Sequence, residues 1–212
     1  VQPGMVYISM PTEFGMAYTK AELENLYATC RKYDLRLFID GARQGYGLMS
    51  EACDYDLPFL AKHCDVFYIG GTKVGAMIGE AVVFTGMKAP KYFFTIVKRH
   101  GALLAKGRML GIQFDTLFTD NLYFKISQHA INMAVRICDI FKKHGIAIAY
   151  DSPTNQQFVV LPKKLYEALS QKVAFEIWER KSDEEIVCRF VTSWATKEEE
   201  LDELDRILTT LC

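Results

Sequence analysis

Histidine is scarce in this 212-residue chain, with 4 copies, and its 6 cysteines include no C-x-x-C pair. Cys30, Cys53, Cys64, Cys138, Cys188 and Cys212 therefore suggest neither a metal centre nor a disulfide framework, and a reducing cytosol is the expected compartment. An excess of one charge is also missing. The balance of 25 Lys and Arg against 26 Asp and Glu leaves a net charge of −1, which argues against general affinity for nucleic acid or an anionic membrane. No charged-then-apolar leader opens the sequence, and no apolar run is long enough to span a bilayer. Phosphate-loop signatures fail as well. Gly70-Gly71-Thr72-Lys73 lacks P-loop spacing and is followed by Val74 rather than Ser or Thr, and Gly41, Gly45 and Gly47 do not fit G-x-G-x-x-G. Finally, Val1-Gln2-Pro3-Gly4 lacks an initiator methionine and leads straight into the strand-like run Met5-Val6-Tyr7-Ile8-Ser9-Met10. A domain that starts mid-sheet creates the expectation of an upstream segment that completes the fold.

What is present reads as a globular protein. Half of the residues are apolar and 24% are charged, the ordinary proportions of such chains, and the length suits one large domain or two small ones. Thr19-Lys20-Ala21-Glu22 has capping-box spacing, and Leu23, Leu26, Tyr27 and Cys30 follow on one helical face. Strand-like runs end at Asp40 and enter Lys73, with a short helix over 56–63 between them and a further strand at 81–84. Strands separated by helices imply a mainly parallel sheet, although a strand reached by a tight turn can run the other way. Leu122, Ile126, Met133, Ile137 and Phe141 mark a long amphipathic bridging helix. Beyond Gly145 come strands over 146–150, 158–161, 175–179 and 186–192, with a helix over 163–171. A final helix is expected from a second capping box, Thr196-Lys197-Glu198-Glu199. The expected organisation is an α/β chain with residues 1–115 in a partial large domain, 116–144 as a connecting helix and 145–212 as a small α+β domain.

Two of these strand ends carry the chemistry. Asp40 closes Leu35-Arg36-Leu37-Phe38-Ile39, and Cys64-Asp65-Val66-Phe67-Tyr68-Ile69 delivers Lys73 into a glycine-rich loop. Singly, such an Asp most often caps a turn and such a Lys is most often solvated. Successive strands of an α/β sheet, however, bring both to the edge where open sheets bind ligands. A carboxylate beside a pyridine nitrogen keeps that nitrogen protonated, and an amine can form a Schiff base. Pyridoxal 5'-phosphate needs that pair from a protein. Ala42 is small enough to lie under a flat ring, and Arg43 offers a planar fork that suits a carboxylate.

Longer stretches add a family resemblance. They are Thr12-Glu13-Phe14-Gly15-Met16-Ala17-Tyr18, Asp40-Gly41-Ala42-Arg43, Gly70-Gly71-Thr72-Lys73-Val74-Gly75 and Glu80-Ala81-Val82-Val83-Phe84. Further on come Leu104-Ala105-Lys106-Gly107-Arg108 with Gln113, Ala130-Ile131-Asn132-Met133-Ala134 and Arg189-Phe190-Val191-Thr192-Ser193-Trp194. In this order they resemble the low-specificity threonine aldolases of the β-eliminating lyase group. Those enzymes have the aspartate-aminotransferase-like fold (fold type I) and use pyridoxal phosphate. The resemblance implies that Lys73 holds the cofactor covalently, Asp40 pairs with its ring nitrogen and Ala42 packs on its face. It implies that Arg43 and Arg189 hold the carboxylate of an amino-acid substrate, and that Lys106 and Arg108 reach a neighbouring subunit's cofactor phosphate in a homodimer or dimer of dimers. Glu13 either faces the cofactor or caps a turn. The implied reaction splits threonine or a related β-hydroxy-α-amino acid into glycine and an aldehyde. Asp40 and Lys73 alone do not separate this from β-elimination or transamination. A non-catalytic fragment that serves as an assembly surface is the remaining alternative.

Overall fold

In the computed structural model, which describes residues 2–212, the capping box at Thr19 forms as its spacing predicts. The Thr19 hydroxyl accepts the Glu22 N–H at 3.3 Å, and the Glu22 carboxylate accepts the Thr19 N–H at 2.8 Å. Helix α1 (Lys20–Lys32) starts there and buries Leu23 and Cys30. Asp34, at a φ of 52°, then turns the chain into β2 (Arg36–Asp40). That strand pairs in parallel with β1 (Met5–Ser9), with Ser9 opposite Asp40, and with β3 (Val66–Ile69) on its other side. Between β2 and β3 lie α2 (Gln44–Leu48) and α3 (Leu57–Lys62), the latter capped by the Asp56 carboxylate on the Phe59 N–H at 2.8 Å. Strand β4 (Ala81–Phe84), reached without a crossover helix, runs antiparallel to β3. The sheet order is β1-β2-β3-β4.

Strand alternation divides this sheet into unequal faces. Val6, Ile8, Leu37, Ile39, Phe67, Ile69, Ala81 and Val83 pack into a core with Leu23, Cys30 and Leu60. The opposite face carries Met5, Tyr7 and Val82, which are 52%, 54% and 49% exposed, together with Phe38, on which Tyr7 stacks at 5.4 Å. A buried carboxylate fixes the covered side. Asp65 accepts the Leu37 N–H at 2.8 Å and pairs with Arg31 at 2.6 Å and Arg36 at 3.1 Å. Burial by itself raises its pKa, but the Leu37 N–H and the two arginines outweigh that and hold the carboxyl below the usual range.

Two helices not expected from the sequence, α4 (Phe93–Arg99) and α5 (Arg108–Phe118), follow the sheet. A turn at Thr119–Asn121, with Asp120 and Asn121 in left-handed backbone, leads into the 22-residue helix α6 (Leu122–Lys143). This helix serves both cores: Tyr123, Ala130 and Ile131 belong to the first, and Met133, Ile137 and Phe141 to the second. The second core packs against an all-antiparallel sheet of β5 (Ala147–Tyr150), β6 (Gln156–Pro162), β7 (Glu176–Arg180) and β8 (Glu185–Val191), in the order β5-β6-β8-β7. Helix α7 (Lys163–Leu169) and helix α8 (Glu198–Leu211) close it. Leu201, Leu204 and Leu208 of α8 are buried there, each contributing about 2 kcal/mol relative to exposure.

One cap falls a residue later than its motif suggests. The Thr196 hydroxyl accepts the Ser193 N–H at 2.9 Å and is committed to that turn. Lys197 is the N-cap instead, and its N–H is accepted by Glu200 at 3.0 Å. Among the described residues no helix is long and apolar enough to cross a membrane, and no group of three or more His, Cys, Asp or Glu side chains is placed to hold a metal ion.

Candidate active site

Asp40 ends β2 on the open face of the first sheet, and the neighbouring strands each aim a tyrosine at it. The Tyr7 hydroxyl donates to Oδ2, and the Tyr68 hydroxyl donates to Oδ1. The Ala42 N–H donates to Oδ1 at 3.0 Å. Loss of solvation raises the Asp40 pKa, but the bonds from Tyr68, Tyr7 and Ala42 and the charge of Lys73 overcome it, so the carboxyl lies below its ordinary value. The same bond pushes Tyr7 up to about 12. A carboxylate has about four lone-pair positions. Three are filled here, which leaves one for an added donor.

Lys73 reaches this place because two loops pack without side chains between them. Gly70 donates its N–H to the Gly41 carbonyl at 2.9 Å. A Cβ on Gly70 would lie 2.3 Å from the Ala42 carbonyl oxygen, and one on Gly41 would lie 2.0 Å from that of Tyr68. Both positions need glycine because backbone meets backbone there. Glu80 then holds the loop, accepting from the Gly71 N–H and, at 3.0 Å, from the Thr72 hydroxyl. The Lys73 side chain is exposed, yet its amine pKa is lowered. Partial loss of solvation comes first, then the charge of Arg43, with Asp40 and Glu80 opposing and Arg189 reinforcing.

Arg43 is half-buried at the start of α2, and its pKa falls through burial and then through the charge of Arg189. Arg189 comes from β8, in the other sheet. One prong donates to Gln156 Oε1 at 3.0 Å, another pairs with Glu176, and the guanidinium lies 5.1 Å from the Trp178 ring centre. Its Nε is buried without a partner. Lys73 thus feels the charges of Asp40, Arg43 and Arg189, and Arg43 feels that of Arg189. Ala42 lies half-buried between Asp40 and Arg43 in sequence, its N–H on the Asp40 carboxylate. Lys106 and Arg108 are not part of this group. Both are exposed where α5 begins. Helix α5 still touches the lysine loop, because the Gln113 amide accepts the Met77 N–H at 2.7 Å and donates to the Ile78 carbonyl at 3.2 Å. Ser9 donates to Glu13 at 2.7 Å, which keeps Glu13 at the end of β1. The sequence reading missed Tyr7, Tyr68, Glu80 and Glu176. Period-2 alternation places both tyrosines on the face of Asp40 once the strand register is known.

A model of the beta-eliminating lyase family matches residues 1–189. The chain belongs to that family. Over 211 residues it is 30% identical to the low specificity L-threonine aldolase of Pseudomonas sp. (strain NCIMB 10558), a match that covers 96% of this chain and 58% of the relative. It superposes on Leishmania major threonine aldolase with a TM-score of 0.96 and 39% identity, covering 100% of this chain and 62% of that one. A single mutant of Thermus thermophilus aspartate aminotransferase matches with a TM-score of 0.68 at 15% identity, covering 99% of this chain and 57% of the other. That likeness is one of fold alone, the aspartate-aminotransferase-like (fold type I) architecture, of which this chain forms part. The family chain described here spans about three fifths of the length of each of these relatives.

Proposed function

We propose that the protein to which this chain belongs is a pyridoxal-phosphate-dependent aldol lyase that cleaves threonine or related β-hydroxy-α-amino acids to glycine and an aldehyde. The mutual placement of Asp40, Lys73, Arg43 and Arg189 carries the reading. The threonine aldolases among the similar proteins support it.

The residues present fit the cofactor. Asp40 is held ionised with one acceptor position left, which suits a protonated ring nitrogen. Lys73 has an amine of lowered proton affinity, so more of it is the free nucleophile that binds an aldehyde. Ala42 is small enough to lie under the ring. When bound, the cofactor supplies an electron sink for charge left on the substrate's α-carbon. This chain's residues do the positioning. Arg43 and Arg189 would hold the substrate carboxylate and so fix the orientation of the bonds at its α-carbon. Lys106 and Arg108 are assigned to a cofactor phosphate in a neighbouring subunit of a homodimer or dimer of dimers, which agrees with their exposure outside the cluster. Residues 1–115, 116–144 and 145–212 are taken as large-domain part, connecting helix and small domain.

The family's own description makes β-elimination the second reading. Full-length protein supplied with pyridoxal phosphate and threonine should release glycine and acetaldehyde. Ammonia and a keto acid instead would establish the elimination reading. Borohydride reduction followed by peptide mapping should label Lys73; label on Lys62, Lys88 or Lys106 would remove it from this role.

A further inference from the structure

We infer that Tyr123 is a positioning residue, which pins the loop bearing Asp40 and Arg43 to the loop bearing Lys73. The inference rests on the functional reading above. Tyr123 stands on α6 and is fully buried. Its hydroxyl accepts the Gly45 N–H at 2.9 Å and donates to the Gly70 carbonyl at 3.0 Å. Gly45 lies two residues past Arg43, and Gly70 three before Lys73. One phenol thus joins backbone groups from both loops. Phe118 stacks on the Tyr123 ring at 5.2 Å.

Gly45, one of the glycines that fit no phosphate motif, finds its reason here. A Cβ on Gly45 would lie 2.8 Å from the Tyr123 ring and 2.3 Å from the Ser127 hydroxyl oxygen. Any larger residue would push α6 off the loop. Tyr46 makes a second tie, its hydroxyl donating to the Lys73 carbonyl. Burial raises the Tyr123 pKa, so the hydroxyl keeps its proton and remains a donor. Seven residues along the same helix, about 10 Å, the Ala130 carbonyl accepts the Thr192 hydroxyl at 2.6 Å. Thr192 follows Arg189 by three. Helix α6 is therefore the rod that fixes the lysine, the acid and both arginines relative to one another.

The test uses full-length protein as wild type, Tyr123→Phe, Tyr46→Phe and the control Tyr55→Phe. The Tyr55 hydroxyl is buried without a partner, so its removal reports the loss of a buried hydroxyl without loss of the pin. Without cofactor, Tyr123→Phe should speed amide exchange in residues 43–47 and 68–73 but not in β6 or β8. With pyridoxal phosphate, the pH midpoint of the bound cofactor's visible absorbance should move by about one unit, because the charges around Lys73 change distance. Turnover should fall by about 10- to 100-fold with KM little changed. Tyr46→Phe should act in the same direction, and it decides by the same readouts if Tyr123→Phe does not fold. Tyr55→Phe should match wild type, and equal effects from it would overturn the pin. Wild-type exchange and midpoint in Tyr123→Phe, with normal cofactor binding, would overturn the positioning role alone. A wild type that binds no cofactor would overturn the functional reading and the role together.

Discussion

Asp40 shows how much a single side chain's neighbours decide. An aspartate on a sheet surface is ordinarily ionised, but one that is partly buried keeps its charge only if donors replace water. Tyr7, Tyr68 and the Ala42 N–H do so. Asp40→Asn removes the anion that disfavours the Tyr7 phenolate, so the Tyr7 pKa should drop from about 12 toward its ordinary value. Spectroscopic titration of Tyr7 in the variant checks this, and an unmoved midpoint would contradict the assigned bond. On the proposed function, turnover of the full-length protein supplied with pyridoxal phosphate should also fall sharply, since a neutral amide would no longer favour a protonated ring nitrogen. Near-normal turnover with full cofactor occupancy would remove Asp40 from the site. The positions of Asp40 and Lys73 were legible in the sequence because the first ends a strand-like run and the second lies in the glycine-rich loop that follows one. Their tyrosine neighbours were not, because nothing local in the sequence states which strand lies beside which or in what register.

At the scale of elements, Arg189 owes its place to β8, whose neighbours in the sheet supply its partners. Gln156 comes from β6, and Glu176 and Trp178 come from β7. The Glu176 side chain is 65% exposed and has a carboxylate on the fork that the functional reading assigns to substrate. With its carboxylate side open to solvent, the pair is screened and Glu176 can be exchanged for another carboxylate. If the proposed function holds, Glu176→Gln in the full-length protein should therefore lower KM for the amino acid by several-fold, about the effect of 1 kcal/mol. Arg189→Lys should raise KM while leaving the visible spectrum of bound cofactor unchanged, because a point charge replaces a two-pronged donor. If neither variant moves KM, Arg189 is not the clamp. Element by element, the first capping box, the strands and the long α6 were readable from spacing and periodicity. The shift of the second cap from Thr196 to Lys197 was not, because the Thr196 hydroxyl is used by Ser193, a contact made only in the turn. Helices α4 and α5 were also unread. They leave Phe94, Met109 and Ile112 exposed, so their apolar residues do not trace one buried stripe.

For the whole molecule, the decisive feature is the uncovered face of the first sheet. Met5, Tyr7 and Val82 are open to solvent there, beside Phe38 and Tyr68, and among the described residues β1 is an edge strand. Contiguous apolar surface and a free strand edge both favour association. Asp40 lies on this same face, so whatever covers the apolar residues also encloses the acid and excludes water from it. The relatives are longer by about two fifths of their length, which supports the proposal that further chain supplies that cover and completes the cofactor site. The 212-residue chain purified alone should therefore self-associate, take up pyridoxal phosphate weakly and cleave threonine slowly or not at all. Adding the rest of the protein in trans, or expressing it as one chain, should restore a defined oligomer and cofactor binding together. Sedimentation and absorbance titration on the two preparations make the comparison. A monomeric 212-residue chain with tight cofactor binding and turnover equal to the full-length protein would show that the open face needs no cover. Full-length protein that binds cofactor but releases no product from any amino acid would favour the assembly-surface alternative instead.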